Sequence, residues 1–210
     1  MMIAKIFHVC YSWIHKTVAR MVKKSNKPTF EFATLNPNER LREMILYIVE
    51  RLHGDSTFGA TKLNKILFFS DFHFYAVHGE PITGARYKKD EFGPVPTDIG
   101  ALLKQMQSAG ELEQKKHTFG RTKRSVFAAK RQARLTNFSR EQIAEVDMAI
   151  NTVKWMKSED VSDMSHTRLW EIARMGEPIP YEAALISDAP LTNYEIRRTK
   201  KLCSQYGWEN

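Results

Sequence analysis

One segment, residues 59–78, limits the possible folds of this 210-residue chain more than any other feature. Apolar side chains occupy nearly every side of the helix that it predicts, rather than a single stripe. A helix that is apolar all round has to be covered by other elements, so we expect it at the centre of the core. Gly79 marks its end, because glycine readily adopts the left-handed conformation that closes a helix. The apolar residues are Leu63, Ile66, Leu67, Phe68, Phe69, Phe72, Phe74, Tyr75 and Val77.

Shorter segments predict further helices around this centre. Asn36-Pro37-Asn38-Glu39 predicts a helix start, because asparagine caps a first turn, proline fits its first position and Glu39 reaches back to the cap. Ser139 and Gln142 predict a second capped start of the same kind. The other helices are predicted over about residues 1–24 and 96–109, from Ser162 to Gly176, and from Thr192 to Gly207.

The β-structure that the sequence predicts is local. Glu111–Thr118 and Lys123–Ala129 flank a loop and predict a hairpin. A short extended stretch around Arg86–Glu91 leads into Phe92–Pro96, whose two prolines predict a rigid turn outside any ladder or helix. Strands and helices do not alternate as a doubly wound sheet requires. The sequence therefore predicts a mainly α (α+β) fold, a compact bundle of six to seven helices with a small antiparallel β-hairpin or sheet.

Positive charge is concentrated in two segments. The chain has a net charge of +8, residues 1–30 have six Lys or Arg and no acid, and residues 115–140 have nine and no acid. The rest of the chain has 17 basic and 24 acidic residues. Such segments suit an acidic protein, a nucleic acid or a membrane surface, while a solvated face without a partner is an equally weighted alternative.

The first 36 residues predict an appendage. Residues 1–24 are a basic amphipathic helix in which Lys5, His8 and His15 interrupt the apolar stretch, so a signal peptide is disfavoured. Docking of this helix on the protein or on a partner is favoured over a membrane surface, and Met21 is an alternative start. Residues 25–38 are rich in Pro and Asn and predict a linker.

Motifs for catalysis or cofactors are missing from the sequence. There is no phosphate-binding glycine loop, no C-x-x-C, no H-E-x-x-H and no G-x-S-x-G, and the seven histidines have no metal-ligand spacing. Cys10 and Cys203 lie on apolar helix faces and are interpreted as small core residues of a reduced, cytoplasmic protein. No apolar run is long enough for a transmembrane helix. We expect that the protein is not an enzyme and binds no cofactor and no metal. Paired carboxylates for acid–base catalysis stay an open alternative, because they need not be close in sequence.

Nucleic-acid binding by residues 115–140 is an alternative function. Phe119, Phe127 and Phe138 alternate with the basic residues, and a basic β-ribbon with aromatic rings suits a groove or stacked bases. The rings equally suit the inner face of a half-buried hairpin, and the basic residues suit protection of a strand edge. The sequence contains no helix-turn-helix or zinc-finger signature.

Four segments, in order along the chain, resemble a known family. Thr61–Ser70 resembles the K-L-x-K-L-L-Y-F-A helix of the Panacea domain, typified by SocA-like antitoxins, and His78–Ile82 is similar to the G-x-P-L that follows it. Tyr87–Pro96 is similar to the family's G-P-V-[VP] signature, and Ser165–Trp170 to its late T-H-x-x-x-W element. Mild departures occur at Asn64, Ser70 and Ser165. The resemblance covers about residues 40–190, which divides the chain into an appendage, 1–36, and a Panacea-like domain with a C-terminal helix, 37–210.

The resemblance implies an antitoxin, encoded beside a toxin gene in a bacterium or phage, that neutralises a cognate protein toxin by direct binding. There are two alternatives. One is an adaptor that delivers the toxin to a protease, which is what the SocA type resembles, and the other is a nucleic-acid-binding regulator. Nothing in the sequence indicates an oligomeric state. The predicted partner-binding residues are Lys62, Lys65, Phe92, Val95, Lys115, Lys116, Arg121, Lys123 and Arg124. The motif residues with a predicted structural role are Leu63, Leu67, Phe69, Gly93, Pro94, His166 and Trp170.

Overall fold

The computed structural model describes residues 28–119, 122–166, 170–171, 173–186 and 197, with the side chains of 117–124 left out. The predicted N-terminal helix lies outside these residues, as does the predicted last helix apart from Arg197. The described helices are α1 (Pro37–Arg51), α2 (Ala60–His78), α3 (Ile99–Ser108), α4 (Arg140–Val153) and α5 (Ser158–Met164). The strands are β1 (Tyr87–Lys88), β2 (Val95–Pro96), β3 (Leu112–Phe119), β4 (Thr122–Ala129) and β5 (Pro178–Ile179). Short 3-10 helices cover Ala33–Leu35 and Tyr181–Leu185.

The predicted number of helices is wrong. The described part of the chain contains five α-helices and two small sheets, not a bundle of six to seven helices. Besides the two predicted helices outside the described residues, the one predicted from Ser162 to Gly176 differs. The observed helix α5 begins at Ser158 and ends at Met164, and of the described residues that follow, 170 and 171 are helical whereas 173–176 are not. Ser162 has the residue type of a helix cap, but it lies buried inside α5 and its hydroxyl serves a different contact.

The helix α2 is the centre of the molecule, which confirms the interpretation of its apolar sequence. It contacts α1, α4, α5, β2, β4 and the 3-10 helix Tyr181–Leu185. Leu63, Ile66 and Leu67 are completely buried. Each side of α2 therefore packs on a different element, as a helix with apolar residues all round requires.

Helix ends were predicted with mixed success. Gly79 ends α2 in the left-handed conformation, with φ of 80°, and Ser139 forms the predicted capping box with Gln142 at the start of α4. The capping box predicted at Asn36 is wrong. Asn36 itself adopts the left-handed conformation, and its side-chain amide donates to the Glu39 carboxylate (2.7 Å) instead of capping a backbone N–H.

The prediction that Pro94 and Pro96 both lie outside any β-ladder is wrong for Pro96, which lies in the sheet that contains β1. Its three strands have the order β2-β1-β5, and β1 pairs antiparallel with both neighbours. Pro96 lies in β2 opposite Tyr87. Proline is tolerated there because β2 is an edge strand. Residues 89–94 connect β1 to β2 and form the predicted turn.

The second sheet is the predicted hairpin, and the structure confirms it. β3 and β4 pair antiparallel from Leu112 opposite Ala129 to Phe119 opposite Thr122. Leu112 and Phe127 are buried, and Phe127 packs on the ring of Phe58 with centroids 6.1 Å apart. The Phe127 ring therefore faces the core rather than a ligand.

A buried carboxylate fixes the chain that leads into β1. Asp71 in α2 is completely buried and accepts hydrogen bonds from the Thr83 N–H (2.6 Å), the Thr83 hydroxyl and the Tyr87 hydroxyl (2.8 Å). Burial raises the pKa of Asp71 to about 6, and the hydrogen bonds from Thr83 and Tyr87 oppose a further rise. The bonds attach β1 to α2, so the turn that follows β1 has a fixed starting point.

Candidate functional site

Three distant parts of the chain meet beside the first turns of α2. Lys65 comes from α2, Gly93 and Pro94 come from the turn between β1 and β2, and Ser165 follows α5. The Lys65 ammonium nitrogen lies 3.1 Å from the Pro94 carbonyl oxygen. We define the turn cluster as Lys65, Asp90, Phe92, Gly93, Pro94, Ser162, Ser165, His166 and Trp170. It joins three of the motifs that were separate in the sequence.

Lys65 is a buried lysine with its charged end under the turn. The residue is only 1% exposed, and Nζ donates to the Pro94 carbonyl. Burial lowers the pKa of the Lys65 ammonium group to about 7, and the nearby charge of Asp90 opposes part of that fall. Lys65 therefore changes its charge near neutral pH, where an exposed lysine would stay protonated.

Gly93 occupies a position that only glycine fits. Its φ of +95° is in the region that side chains avoid. A Cβ atom at this position would overlap the Ser165 hydroxyl oxygen and lie 2.6 Å from Lys65 Nζ. The absence of a side chain at Gly93 thus allows Lys65 and Ser165 to approach the turn closely.

Side chains of other elements hold the backbone of the turn. The Ser162 hydroxyl of α5 donates to the Phe92 carbonyl oxygen (2.9 Å), and the Trp170 indole N–H donates to the Asp90 carbonyl oxygen (3.3 Å). With the bond from Lys65 to Pro94, three carbonyl groups within five residues are fixed from three directions. The Phe92 side chain, in contrast, is 59% exposed. The turn therefore presents an aromatic side chain on a firmly held backbone.

A stack of three side chains closes the cluster on one side. The rings of His166 and Trp170 lie parallel with centroids 3.6 Å apart, and Lys89 Nζ lies 4.1 Å from the Trp170 ring centroid. Lys89 also donates to the Ala173 carbonyl oxygen (3.0 Å). Burial, and next the charge of Lys65, lower the pKa of His166, so the neutral imidazole is favoured. Its Nε2 atom is buried with no hydrogen-bond partner among the described residues.

Lys62, one turn before Lys65, is also internal. The residue is completely buried, and its ammonium group donates to the Thr57 hydroxyl (2.6 Å) and to the Lys154 carbonyl oxygen (3.1 Å). It connects the loop before α2 to the end of α4. Both lysines were predicted to bind a partner. Their burial speaks against that contact, because their charged ends are used inside the molecule.

The predicted site residues on the hairpin lie apart from the turn cluster. Lys115 and Lys116 are exposed on β3. Glu113 pairs with Lys115 and, at 2.6 Å, with Lys130. These partners lower the pKa of Glu113 to about 2, so this carboxylate is ionised and paired. Arg121 and the side chains of Lys123 and Arg124 lie outside the described part of the structure.

The other predicted residues have inner positions. Val95 is 5% exposed in β2, so it presents almost no surface to a partner. Leu63 and Leu67 are buried in α2, and Phe69 is partly buried against the core. Pro94 is buried in the turn.

The hairpin is attached to the body at its base by an ion-pair network. Arg131 follows β4 and donates to both carboxylate oxygens of Glu43 in α1 (2.8 and 2.6 Å) and to Glu111 (2.9 Å). Arg42 donates to the other Glu111 oxygen (2.6 Å). The side chain of Glu43 is only 7% exposed, so its charge depends on Arg131 and on the Arg134 N–H (2.7 Å).

Sequence reasoning missed several residues that build the site. Ser162 was interpreted as a helix cap, and Lys89 was quoted only as part of a motif. Glu43 was not singled out, and neither was Asp71, although a carboxylate inside a largely apolar helix such as α2 signals a buried polar contact. The partners of all four are at least 12 residues away in sequence.

The described residues show neither a group of metal ligands nor a helix that could span a membrane. No three or more His, Cys, Asp or Glu side chains in the described part of the chain are grouped so that they would hold a metal ion. None of the described helices combines the length and apolar character that crossing a membrane requires.

Comparison with known proteins gives one match. A family model described as "Antitoxin SocA-like, Panacea domain" matches residues 63–171, just over half of the chain. The matched segment begins in α2 and ends beyond α5, so it contains the whole turn cluster and the hairpin. No curated protein and no solved structure matches the chain. The length of the family match shows that the chain belongs to the SocA-like antitoxins with a Panacea domain.

Proposed function

We propose that this chain is an antitoxin that neutralises a cognate protein toxin by binding it directly. Family membership supports a role in a toxin–antitoxin system and implies a toxin as partner. The observation that supports direct binding is the Phe92 side chain, which is 59% exposed on a turn whose backbone is held by three other elements.

An aromatic side chain on a rigid turn is well suited to a protein interface. Little conformational freedom is lost when a preorganised turn binds, so more of the contact energy appears as affinity. Aromatic residues supply much of the binding energy in protein interfaces because they bury a large area with few rotatable bonds. Phe92 has both properties, which makes it the residue that we place at the centre of the toxin contact.

The basic hairpin supports the same function at longer range. Residues 112–130 contain six Lys or Arg and one acid, Glu113. A surface of one sign speeds encounter with a partner of the opposite sign and rejects partners of the same sign. We propose that the hairpin, residues 111–130, and the turn together form the recognition surface for an acidic face of the toxin.

The test is rescue of growth. The protein encoded beside this chain is induced alone and together with the chain, and we expect growth arrest in the first case and rescue in the second. Co-purification of the two proteins then shows direct binding. A harmless neighbour, or a toxic one that the chain does not rescue, would contradict the proposed function.

Two sets of variants locate the contact. Phe92→Ala removes the exposed ring, and we expect at least a roughly tenfold loss of affinity for the toxin. Met148→Ala, an exposed apolar residue on α4, is the matched control and should bind as the wild type does. Reversing Lys115, Lys116, Arg121 and Lys123 to Glu should abolish neutralisation with a melting curve near that of the wild type. Unchanged neutralisation by the reversed variant would exclude the hairpin from the interface.

The exposed Lys115 and Lys116 also support a second candidate, a nucleic-acid-binding regulator. Phosphate contacts weaken steeply as salt increases, so a gel shift at two salt concentrations separates this function from protein binding. A third candidate is an adaptor that delivers the toxin to a protease. In that case the half-life of the toxin falls when the chain is present, whereas direct inhibition leaves it unchanged.

We infer a non-catalytic role in the cytoplasm of a bacterium or of a phage-infected cell, since the resemblance implies that setting. We also propose that residues 1–36 are an appendage to the domain formed by residues 37–210. Deletion of residues 1–24 tests this division. Neutralisation by the shortened chain would assign the toxin contact to the domain, and its loss would assign part of the contact to the appendage.

A further inference from the structure

Within the part of the chain that the structure describes, the hairpin leaves backbone groups of β3 without partners. The Lys130 N–H donates to the Glu111 carbonyl oxygen (2.8 Å), so these two residues face each other at the base of the ladder. In an antiparallel pair, alternate residues direct both backbone groups to the partner strand and the residues between them direct both outward. From the register, the outward residues of β3 include Gln114 and Lys116. Among the described residues, their outward N–H and C=O groups make no hydrogen bond.

A groove lies along this edge of β3. It has a volume of about 530 Å³, and it is lined by Gln107 of α3, by Gly110 after α3, by Leu112, Glu113, Gln114 and Lys115 of β3, and by Lys130, which follows β4 and pairs with Glu113. Consecutive residues of a strand point to opposite faces of a sheet. Because four consecutive residues of β3 line the groove, it runs along this strand and receives side chains from both of its faces.

The polar groups of the groove are positioned by the fold. The Gln114 side chain donates to the Ser125 hydroxyl (3.0 Å) and accepts from the Gln107 amide (3.4 Å). These contacts keep the side chain of Gln114 within the hairpin and the end of α3. The outward backbone groups of Gln114 and Lys116 are thus left as the hydrogen-bonding groups of the edge.

Charge selects the kind of strand that fits this edge. Glu113 is the one acid of residues 112–130, and Lys115 and Lys130 already pair with it. Lys116, which is exposed on β3, adds a positive charge to the edge. A second copy of the chain would place an equally basic hairpin against it, and like charges on neighbouring strands repel. An acidic segment has the complementary charge.

We infer that the outer edge of β3 binds an extended acidic segment of a partner protein, which adds to the hairpin as a third strand. The inference rests on the proposed function in one respect, since the toxin is the partner that would supply the segment. Backbone hydrogen bonds to Gln114 and Lys116 contribute affinity in such strand addition, and the lysines select the sign of the added strand.

Amide hydrogen exchange with a synthetic probe tests the inference on the unmodified chain. The probe is an end-capped eight-residue peptide of alternating Glu and Val, and the matched control has Lys in place of Glu. We expect at least tenfold slower exchange at the Gln114 and Lys116 amides with the acidic peptide and no change with the basic one. No protection of these amides, or equal protection by both peptides, would overturn the inference.

Two other outcomes of the same experiment also count against it. Protection of the outward amides of β4, at Ser125 and Phe127, in place of those of β3 would show that the added strand binds at the edge of β4, not at the edge of β3. A duplex oligonucleotide that slows exchange along the hairpin, where the acidic peptide does not, would replace the protein segment by a nucleic acid.

Backbone variants extend the test to the toxin. Lys116→Pro removes both the lysine side chain and the outward N–H, whereas Lys116→Ala removes the charged side chain and keeps the N–H. Lys123→Pro makes the matched change on the outward edge of β4. We expect Lys116→Pro to bind the acidic peptide at least tenfold more weakly than Lys116→Ala does, with Lys123→Pro close to the wild type. Equal binding by all three variants would contradict strand addition at β3.

Growth rescue separates this inference from the proposed function. A wild-type chain that fails to rescue growth contradicts the antitoxin role alone, because the peptide measurement requires no toxin. Full rescue by Lys116→Pro contradicts strand addition and leaves the antitoxin role intact. Should Lys116→Pro not fold, as its circular dichroism would show, the exchange data on the wild-type chain decide the inference.

Discussion

Two pairs of lysines in this protein have the same chemistry and opposite surroundings. Lys62 and Lys65 in α2 are at most 1% exposed, and their ammonium groups bond to groups of the protein. Lys115 and Lys116 in β3 are exposed, and the side chain of Lys115 is 64% accessible. The first pair connects elements of the fold. The second pair leaves most of its charge to solvent or to a partner.

The difference separates the stability of the protein from its recognition of a partner. In the turn cluster, a side chain that is lost leaves a buried group without its contact, which costs folding free energy. On the hairpin, solvent replaces a lost side chain at little cost. We therefore expect substitutions of the buried residues of the turn cluster to change stability strongly and substitutions of the exposed lysines of the hairpin to change binding alone.

Gly93→Ala should break the turn cluster most severely. A methyl group there would overlap the Ser165 hydroxyl and approach Lys65 Nζ, and the φ of +95° is unfavourable for alanine. A positive φ costs about 1–2 kcal/mol and overpacking of a core about 1–3 kcal/mol, so we expect a loss of about 2–5 kcal/mol in the free energy of unfolding. Chemical denaturation measures this loss.

Gly110→Ala is the control for Gly93→Ala. Gly110 has a φ of +70° and, among the described residues, no atom within 4 Å of the added Cβ, so we expect only the backbone cost of about 1 kcal/mol. Equal losses for the two variants would mean that the close approach of Lys65 and Ser165 to the turn contributes nothing.

Lys65→Met should change how the stability of the protein depends on pH, because it removes the buried amine. The folded-state pKa of Lys65 is about 7, below the ordinary lysine value of 10.5 that applies to the unfolded chain, so the unfolded state binds more protons between these values. The stability of the wild type therefore rises with pH in this window, and Lys65→Met lacks that rise. From pH 7 to 9.5 the wild type should gain about 3 kcal/mol relative to the variant.

Denaturation of both proteins at the two pH values tests the prediction about Lys65. Lys115→Met, which removes an exposed lysine, is measured in the same buffers to correct for pH effects common to the whole protein. A difference between the wild type and Lys65→Met that stays constant with pH would show that the buried amine does not change its charge in this window.

Elements with a short-range signal were predicted from the sequence. The apolar run of α2, the cap at Ser139, and the two segments that flank the loop of the hairpin all depend on neighbours within a few positions. Gly79 is of the same kind, because the end of a helix is a local event. Periodicity and capping are visible in a sequence for this reason.

The turn cluster was not predictable, because its contacts join residues far apart in the chain. Lys65 meets Pro94, Ser162 meets Phe92, and Trp170 meets Asp90, at separations of 29, 70 and 80 residues. A lysine in a helix is usually solvated, so the sequence gives no reason to bury Lys62 or Lys65. The resemblance singled out the motifs, but only the folded structure shows that three of them contact one another.

Arg131→Ala tests how firmly the hairpin is attached at its base. The substitution leaves Glu43, whose side chain is 7% exposed, with the Arg134 N–H but without its charged partner. We expect a loss of about 2 kcal/mol, below the range for a fully buried pair because Arg131 is partly exposed. Arg86→Ala is the control, since the Arg86–Glu31 pair is 3.9 Å apart and half exposed and should contribute less than about 0.5 kcal/mol. Equal losses of stability for Arg131→Ala and Arg86→Ala would show that the ion pairs of Arg131 stabilise the protein no more than an exposed ion pair does.

Reversal of Lys115 and Lys116 to Glu should have the smallest effect on stability and a large effect on binding. Both side chains are exposed, and Lys130 still pairs with Glu113, so the free energy of unfolding should change by less than about 0.5 kcal/mol. Neutralisation of the toxin should nevertheless be lost, because the acidic partner then meets negative charge at the strand edge. A loss of stability comparable to that of Arg131→Ala would remove the distinction between the two lysine pairs. Stable variants that still neutralise would keep the distinction and confine recognition to the turn at Phe92.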